Sequence, residues 1–152
     1  MIYSIDTSAL LDGWVRWYPP DVFPSVWNRL DQLIEAGSAV ASDEVLRELS
    51  RRDDEIHEWC KQRPKLFVPL DDDIQYATLE VLNQFPRMVD QRPGKNLGDP
   101  FVVALAKARK LTVVTGEIGG TQDRPKIPFV CQHFGIRCIN LVQLLREIEA
   151  QF

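Results

Sequence analysis

No stretch of the 152-residue sequence holds about 20 consecutive apolar residues, the length a helix needs to span a bilayer. The N-terminal residues lack the basic and apolar segments of a signal peptide. The three cysteines, Cys60, Cys131 and Cys138, cannot all pair within the chain, which favours a reducing compartment. We therefore expect a cytoplasmic protein that does not enter a membrane.

The sequence also lacks an excess of basic residues, because its formal net charge is −4. Such a chain can bind phosphate groups through a local basic patch, or through divalent cations held by clustered carboxylates. Two local basic clusters are present, and for each the alternative is an ordinary solvated surface. The clusters are Arg87, Arg92 and Lys95, and Lys107, Arg109 and Lys110.

Histidine is scarce, and neither His57 nor His133 belongs to a convincing Ser/His/Asp or Cys/His arrangement for nucleophilic catalysis. A structural zinc site formed by Cys131, His133 and Cys138 would lack a close cysteine pair and a fourth ligand. The sequence thus gives little support to a nucleophile or to structural zinc.

Short apolar runs alternate with amphipathic segments along the chain, which predicts one α/β domain over residues 1–152 with a mainly parallel sheet. We expect strands at 2–5, 39–41, 66–70, 111–115 and 136–139. We expect helices at 9–12, 25–36, 43–52, around 56–59, 71–85, 99–106, 130–134 and 141–150. In the helix at 71–85 we expect Ile74, Leu79 and Leu82 to face the core. The aromatic residues 14–23 predict an irregular loop or broken helix that packs on the core, with an interface as the alternative.

Several carboxylates follow strands or begin helices of this pattern. Asp6 ends the first strand, where an open parallel sheet binds its ligands, although it could instead cap the next helix. Glu48 lies at the border of the apolar stripe formed by Val45 and Leu49, whereas Glu44 lies farther towards solvent. A solvated boundary position is the alternative for Glu48.

Asp99 precedes Pro100 at the start of a nearly all-apolar helix, so it is expected in the main cleft, as a helix cap, a ligand or both. Glu117 follows the strand at 111–115, with Asp123 as a competitor in the same loop; a solvent-facing side chain is the alternative. Thr7, Ser8 and Thr115 are candidates for steadying the acids or a phosphate. If these acids meet, cations would offset their repulsion and could activate water against a phosphodiester.

These segments resemble a PIN domain. The resemblance covers essentially the whole chain and rests on residues 5–11, the Glu48-Leu49 pair, residues 99–106 and residues 113–117. The segments 126–128 and 138–141 resemble the DUF4411 branch of PIN-like proteins. A phosphatase that begins with a strand-end aspartate is the weaker match, because it needs a second Asp where Ser8 stands.

The resemblance implies a three-layer α/β/α fold with a Rossmann-like sheet and an Mg²⁺- or Mn²⁺-dependent ribonuclease site. Asp6, Glu48 and Asp99 match the three best-defined acids of the family, while the fourth acid is usually Asp and here Glu117 stands nearby. Many small relatives are VapC-like toxins, which implies a cognate antitoxin and a homodimer. The alternative is a catalytically degenerate PIN-like module that binds RNA or protein.

Overall fold

The computed structural model describes residues 1–51, 54–89 and 99–149, with the side chains of Asp99 and Glu149 outside that description. The strands are β1 (Tyr3–Ile5), β2 (Ala39–Ser42), β3 (Phe67–Val68), β4 (Thr112–Val114) and β5 (Cys138–Ile139). The helices are α1 (Thr7–Leu11), α2 (Pro24–Glu35), α3 (Asp43–Ser50), α4 (Glu55–Lys61), α5 (Asp72–Gln84), α6 (Asp99–Arg109), α7 (Ile127–Phe134) and α8 (Leu141–Glu149). A π-helix spans Asp12–Trp17, and 3-10 turns span Pro64–Leu66 and Pro86–Met88.

The five strands of the described residues form one parallel sheet in the order β3-β2-β1-β4-β5. The chain builds outwards from β1 through β2 to β3, and then crosses back to place β4 on the other side of β1. The topological switch point therefore lies between β1 and β4, and ligands of open α/β sheets bind at the carboxyl ends of strands at such a point. The predicted parallel α/β sheet is confirmed.

Neighbouring residues of β1 show that helices cover both faces of the sheet. The hydroxyl of Tyr3 donates to Glu147 of α8, while the hydroxyl of Ser4 donates to the carbonyl of Val102 in α6. Successive strand residues point to opposite faces. Helices α8 and α6 therefore lie on opposite sides of β1, which produces the three-layer arrangement.

Helix α6 is the central helix, as its apolar sequence predicts. Its residues Val102 to Ala106 are all buried, and it packs against β1, β2 and β4. Its C-terminal end carries Lys107, which pairs with Glu80, and Arg109, which pairs with Asp71 and Asp73 of the α5 region. These two cations of the basic cluster are thus engaged by acids of the same molecule.

The aromatic segment is more regular than a loop, because α1 continues into the π-helix. The N–H of Tyr18 donates to the carbonyl of Gly13 over 2.8 Å, a hydrogen bond of π-helical spacing. Trp14 points inwards, with its ring centroid 4.6 Å from that of Trp27, which in turn lies 5.2 Å from Trp59. Trp17 points outwards with 61% of its surface exposed. The packing prediction therefore holds for Trp14 and is wrong for Trp17.

Two further expectations need correction. In α5 the residue Leu79 is 58% exposed, and the buried positions are Ile74, Ala77, Thr78 and Val81. These four recur at helical spacing, so the face they define carries Leu79 away from the core. Helix α7 begins at Ile127, three residues before the predicted start, and Pro128, a residue favoured at helix starts, lies in its first turn. In the part of the chain that the structure describes, no helix is long and apolar enough to cross a membrane.

Candidate active site between strands β1 and β4

Asp6 lies at the switch point, directly after β1. Its side chain is buried, with 2% of the residue exposed. Asp6 stands at the N-cap position of α1, but its carboxylate makes no capping hydrogen bond to that helix. Capping of α1 was one possible role for Asp6 on the sequence alone. The geometry excludes that role. A carboxylate buried here must instead be held by other partners.

Two hydroxyl groups hold the carboxylate of Asp6. Ser8 Oγ and Thr115 Oγ1 both donate to Asp6 Oδ2, over 2.5 Å and 2.9 Å. The two hydroxyls are fixed in turn by backbone donors, since the N–H of Gly116 binds Ser8 Oγ at 2.8 Å and the N–H of Glu117 binds Thr115 Oγ1 at 3.1 Å. The loop after β4 thus orients the acid after β1. The expectation that Ser8 and Thr115 steady an acid agrees with these contacts.

The surroundings of Asp6 raise its pKa from the ordinary value of 3.8 to about 7. Burial is the largest cause, because the charged carboxylate loses its hydration. The hydrogen bonds from Ser8 and Thr115 lower the pKa, whereas the negative charges of Glu117 and Glu48 raise it. Three of the acids singled out in the sequence therefore lie within electrostatic reach of one another.

Glu48 reaches this site from α3, the helix that follows the neighbouring strand β2. Ser42 begins that helix by accepting a hydrogen bond from the N–H of Glu44. Val45 and Leu49 are fully buried, and Glu48 lies half-buried beside them. Glu44 instead pairs with Arg47 at 2.7 Å. Glu48 thus lies within electrostatic reach of Asp6, whereas Glu44 is paired with Arg47.

Glu117 has a structural role as well as a position near Asp6. Its Oε2 accepts a 2.9 Å hydrogen bond from the N–H of Ile127, the first residue of α7. The side chain is half-buried, so the solvent-facing alternative is wrong for Glu117. Asp123 lies exposed in the following loop. The charge of Glu117 acts on Asp6, which makes Glu117 the stronger candidate for the fourth acid.

Some predicted residues lie outside the described part of the chain. Helix α6 begins at Asp99, as expected, and contacts both β1 and β4, but the side chain of Asp99 is outside the description. Arg92 and Lys95, the expected guides for an RNA backbone, also lie outside it. Their roles stay predictions.

The chemistry of the donor atoms around Asp6 suits a hard cation. Carboxylate and hydroxyl oxygens are the ligands that Mg²⁺ and Mn²⁺ prefer. Thr7 follows Asp6, and its hydroxyl is buried with no hydrogen-bond partner among the described residues. Within those residues, no three His, Cys, Asp or Glu side chains lie close enough together to hold an ion. A bound cation would thus need an additional ligand, for which the sequence offers Asp99.

Two acids near this edge were missed by the sequence reasoning. Asp43 follows β2 as Asp6 follows β1, and its Oδ1 is buried with no hydrogen-bond partner among the described residues. The same strand-end position that identified Asp6 would have found Asp43. Asp12 lies in the π-helix, with its carboxylate directly beside Gly116. No sequence signal marks Asp12, because only the unpredicted π-helix brings it back to the loop after β4.

The cysteines and the histidine of the alternative zinc set have packing contacts. The thiols of Cys131 and Cys138 are hydrogen-bonded to each other, and this hydrogen bond together with burial keeps the pKa of Cys131 above its ordinary value. The ring of His133 packs edge-on against Phe85 and Phe134, with centroids 5.1 Å and 4.8 Å away. All three cysteines are free. Packing and hydrogen bonding thus explain the positions of Cys131, Cys138 and His133.

Comparison with solved structures shows which class of fold this is. One chain in the crystal structure of VapBC2 from Rickettsia felis, bound to a DNA fragment from their promoter, matches with a TM-score of 0.53 and 15% sequence identity. The match covers 92% of this chain and 98% of that chain. Together with the five-stranded parallel sheet and its helical layers, it defines a PIN-like α/β fold.

The sequence identifies the family within that class. The family described as Domain of unknown function (DUF4411) matches residues 3–152. This chain therefore belongs to the DUF4411 family, in agreement with the resemblance noted in its sequence. No curated protein matches the chain.

Proposed function

We propose that this protein is a divalent-metal-dependent endoribonuclease that hydrolyses phosphodiester bonds of RNA and acts as the toxin of a toxin–antitoxin pair. The observation that carries the proposal is the buried carboxylate of Asp6 at the switch point. The negative charges of Glu117 and Glu48 raise its pKa. Burial and the negative charges of Glu117 and Glu48 oppose the ionisation of Asp6, so a carboxylate at this position is costly without a compensating positive charge. A divalent cation bound by these acids would supply that charge, which supports the proposal.

In this proposal Asp6, Glu48 and Asp99 hold Mg²⁺ or Mn²⁺, and Glu117 assists from the loop after β4. The bound cation would lower the pKa of a water molecule and stabilise the charge that develops on the phosphate oxygens. Ser8 and Thr115 fix the orientation of Asp6, so that one carboxylate oxygen is engaged and the other can face the ion. Glu117 is fixed through α7 in the same way.

Single-stranded or looped RNA is the proposed substrate, because its backbone and bases are accessible. The acidic surroundings of Asp6 would repel a polyanion without a cation. The dependence on a divalent ion therefore extends to substrate binding as well as to the activation of water. Arg92 and Lys95 are proposed to guide the RNA backbone.

The toxin role rests on the fold. The structural relative from Rickettsia felis is a VapBC2 assembly, and this chain shares its fold at 15% identity. We propose by analogy that a small antitoxin protein inhibits this chain, and that the chain forms a homodimer. Exposed apolar side chains in and after the π-helix, such as Val15, Val22 and Phe23, offer one surface for such contacts.

An RNA-cleavage assay with Mg²⁺ or Mn²⁺ tests the enzymatic proposal. Asp6→Asn and Asp99→Asn should each lower the cleavage rate at least about a hundredfold, because each removes a charge from the ion. Asp73→Asn is the matched control, since Asp73 is exposed on α5 at a distance of 3.7 Å from Arg109. Equal cleavage by wild type and both site variants would refute the carboxylate site. RNA binding without cleavage would favour the degenerate binding module.

Expression in a bacterium tests the toxin role separately. The wild-type chain should arrest growth, and Asp6→Asn should not. Unimpaired growth together with metal-dependent cleavage in vitro would support the nuclease activity and refute the toxin role. Sedimentation of the purified chain tests the homodimer.

A further inference from the structure

A cleft adjoins the acid cluster and shares Glu117 with it. The cleft, of about 260 Å³, opens beside Thr115 and Glu117, on the side of β4 where the π-helix lies. Asp12, Trp17, Tyr18, Gly116 and Asn140 are among the residues that line it. Because Thr115 also donates to Asp6 over 2.9 Å, a molecule held in this cleft would touch the proposed active site.

The size of the cleft limits its occupant. Pockets for whole drug-sized ligands usually measure about 300–1,000 Å³, so this cleft suits one planar ring system rather than a complete nucleotide. The charged side chains that line it among the described residues, Asp12 and Glu117, are both acidic. Such a lining repels a phosphate and attracts a neutral group that presents hydrogen-bond donors.

An exposed aromatic ring supplies a stacking surface. Trp17 and Trp14 belong to the same π-helix, but Trp14 is packed within the tryptophan cluster while Trp17 remains 61% exposed at the cleft. Bases of single-stranded nucleic acids stack on such rings, each contact being worth roughly tenfold or more in affinity. The neighbouring Ile118 is 90% exposed and extends the apolar rim.

Asp12 supplies hydrogen-bond acceptors, and its carboxylate lies directly beside Gly116. A Cβ atom on Gly116 would lie only 2.2 Å from Asp12 Oδ2, so the absence of a side chain at Gly116 lets the carboxylate occupy this position. The opposite oxygen is 3.9 Å from the exposed Arg16, a distance too long for a strong ion pair. The carboxylate is therefore held in the cleft and can still accept hydrogen bonds.

Asn140 adds a hydrogen-bond donor to the lining of the cleft. Its Oδ1 accepts from the N–H of Gln143, and the N–H of Asn140 donates to Gln143 Oε1. This reciprocal cap fixes the amide and directs its remaining NH₂ group to other acceptors. A base that offers two adjacent donors to Asp12 and an acceptor to Asn140 would satisfy both side chains.

We propose that this cleft is a base-binding subsite, in which Trp17 stacks on a guanine of the RNA substrate and Asp12 accepts hydrogen bonds from its N1–H and N2–H groups. Uracil offers a single donor between two acceptors, and adenine and cytosine each place one acceptor beside their amino group, so a carboxylate suits guanine best. The proposal rests on the proposed RNA-cleaving function. It adds a preference for cleavage next to guanine.

Nucleoside binding tests the subsite without requiring catalysis. Guanosine, adenosine, cytidine and uridine are titrated into the metal-free full chain and followed by NMR. Guanosine should bind tightest, Trp17→Ala should weaken it about tenfold, and Trp17→Phe should retain most of the binding. Asp12→Asn should remove the preference for guanosine. Tyr76→Ala and Asp21→Asn are matched controls, since both residues are exposed and neither lines the cleft.

Cleavage of uridine-rich RNA that contains one guanine tests the subsite in the enzyme. Wild type should cut beside the guanine, and Trp17→Ala should raise KM about tenfold with little change in kcat. Equal cleavage at all positions, or equal binding of the four nucleosides, would refute the guanine subsite without refuting the nuclease activity. Guanosine binding that depends on Trp17, in a protein that cleaves no RNA, would support the subsite and reject the nuclease.

Discussion

The hydroxyl of Thr115 donates a 2.9 Å hydrogen bond to the carboxylate of Asp6, which lies 109 residues earlier in the chain. The bond joins the residues that follow β1 and β4, the two strands on either side of the topological switch point. Ser8 donates to the same oxygen and is held by the N–H of Gly116. The first acid of the candidate site is thus oriented by the loop that carries the last one, Glu117.

This contact predicts the effect of removing the hydroxyl of Thr115. Thr115→Val keeps the shape of the side chain but leaves the carboxylate of Asp6 with one donor fewer. Since that bond lowers the pKa of Asp6, the pKa should rise above its present value of about 7. Thr115→Ser should restore it, and Thr112→Val should have no effect. Carboxyl ¹³C shifts measured against pH provide the check; a pKa that is equal in Thr115→Val and wild type would refute the contact.

The raised pKa of Asp6 also predicts how stability depends on pH. Between about pH 4 and pH 7 the unfolded chain releases this proton while the folded protein retains it, so the free energy of unfolding falls as pH rises. Metal-free Asp6→Asn should therefore match wild type near pH 4 and exceed it by up to a few kcal/mol at pH 8. Urea unfolding in a chelator measures this difference. A difference between the two proteins that stays constant from pH 4 to pH 8 would contradict it.

Divalent ions should stabilise the folded protein if the acids hold them. An ion that binds only the folded state raises Tm by about 5–10 °C at a hundredfold excess over its Kd. Asp6→Asn and Glu48→Gln should lose most of the shift with Mn²⁺, whereas Asp73→Asn should retain it. Thermal unfolding with and without Mn²⁺ makes the comparison. The same shift in all four proteins would place the ion elsewhere.

The close approach of Asp12 to Gly116 can be tested by a double-mutant cycle. Gly116→Ala places a Cβ atom against the Asp12 carboxylate and should destabilise the protein by about 1–3 kcal/mol. In an Asp12→Ala background the same change should cost clearly less, because the clashing oxygen atoms are absent. Urea unfolding of the four proteins gives the coupling free energy. A coupling of zero would mean that the two residues do not meet.

Substitution of the buried Trp27 and of the exposed Trp17 should affect the free energy of unfolding very differently. Trp27 is 3% exposed and contacts both Trp14 and Trp59, so Trp27→Ala should cost about 3–5 kcal/mol of unfolding free energy. Trp17→Ala should change stability by no more than about 0.5 kcal/mol, because most of its ring is exposed. Comparable losses in both variants would show that Trp17 is part of the core.

Hydrophobic periodicity and helix-terminus residues were enough to predict much of the fold. The central helix α6 followed from its apolar run, and α3 followed from Ser42 and the stripe of Val45 and Leu49. Such features are local, because a helix cap or an apolar stripe needs only neighbouring residues to be recognised. The hydrogen bond from the first N–H of α7 to Glu117 could not be found in this way, since Glu117 lies ten residues before Ile127.

The sequence by itself determined that acids stand at strand ends and helix starts, and that Glu48 rather than Glu44 borders the apolar stripe. The tertiary structure decided which of these acids meet, how Asp6 is held, and that Glu117 rather than Asp123 acts on it. It also decided that Trp17 turns outwards and that Asp12 reaches Gly116. The physical reason is that Coulomb forces, burial and close packing depend on distances through space. Those distances are set by the order of the strands in the sheet, which local patterns do not encode.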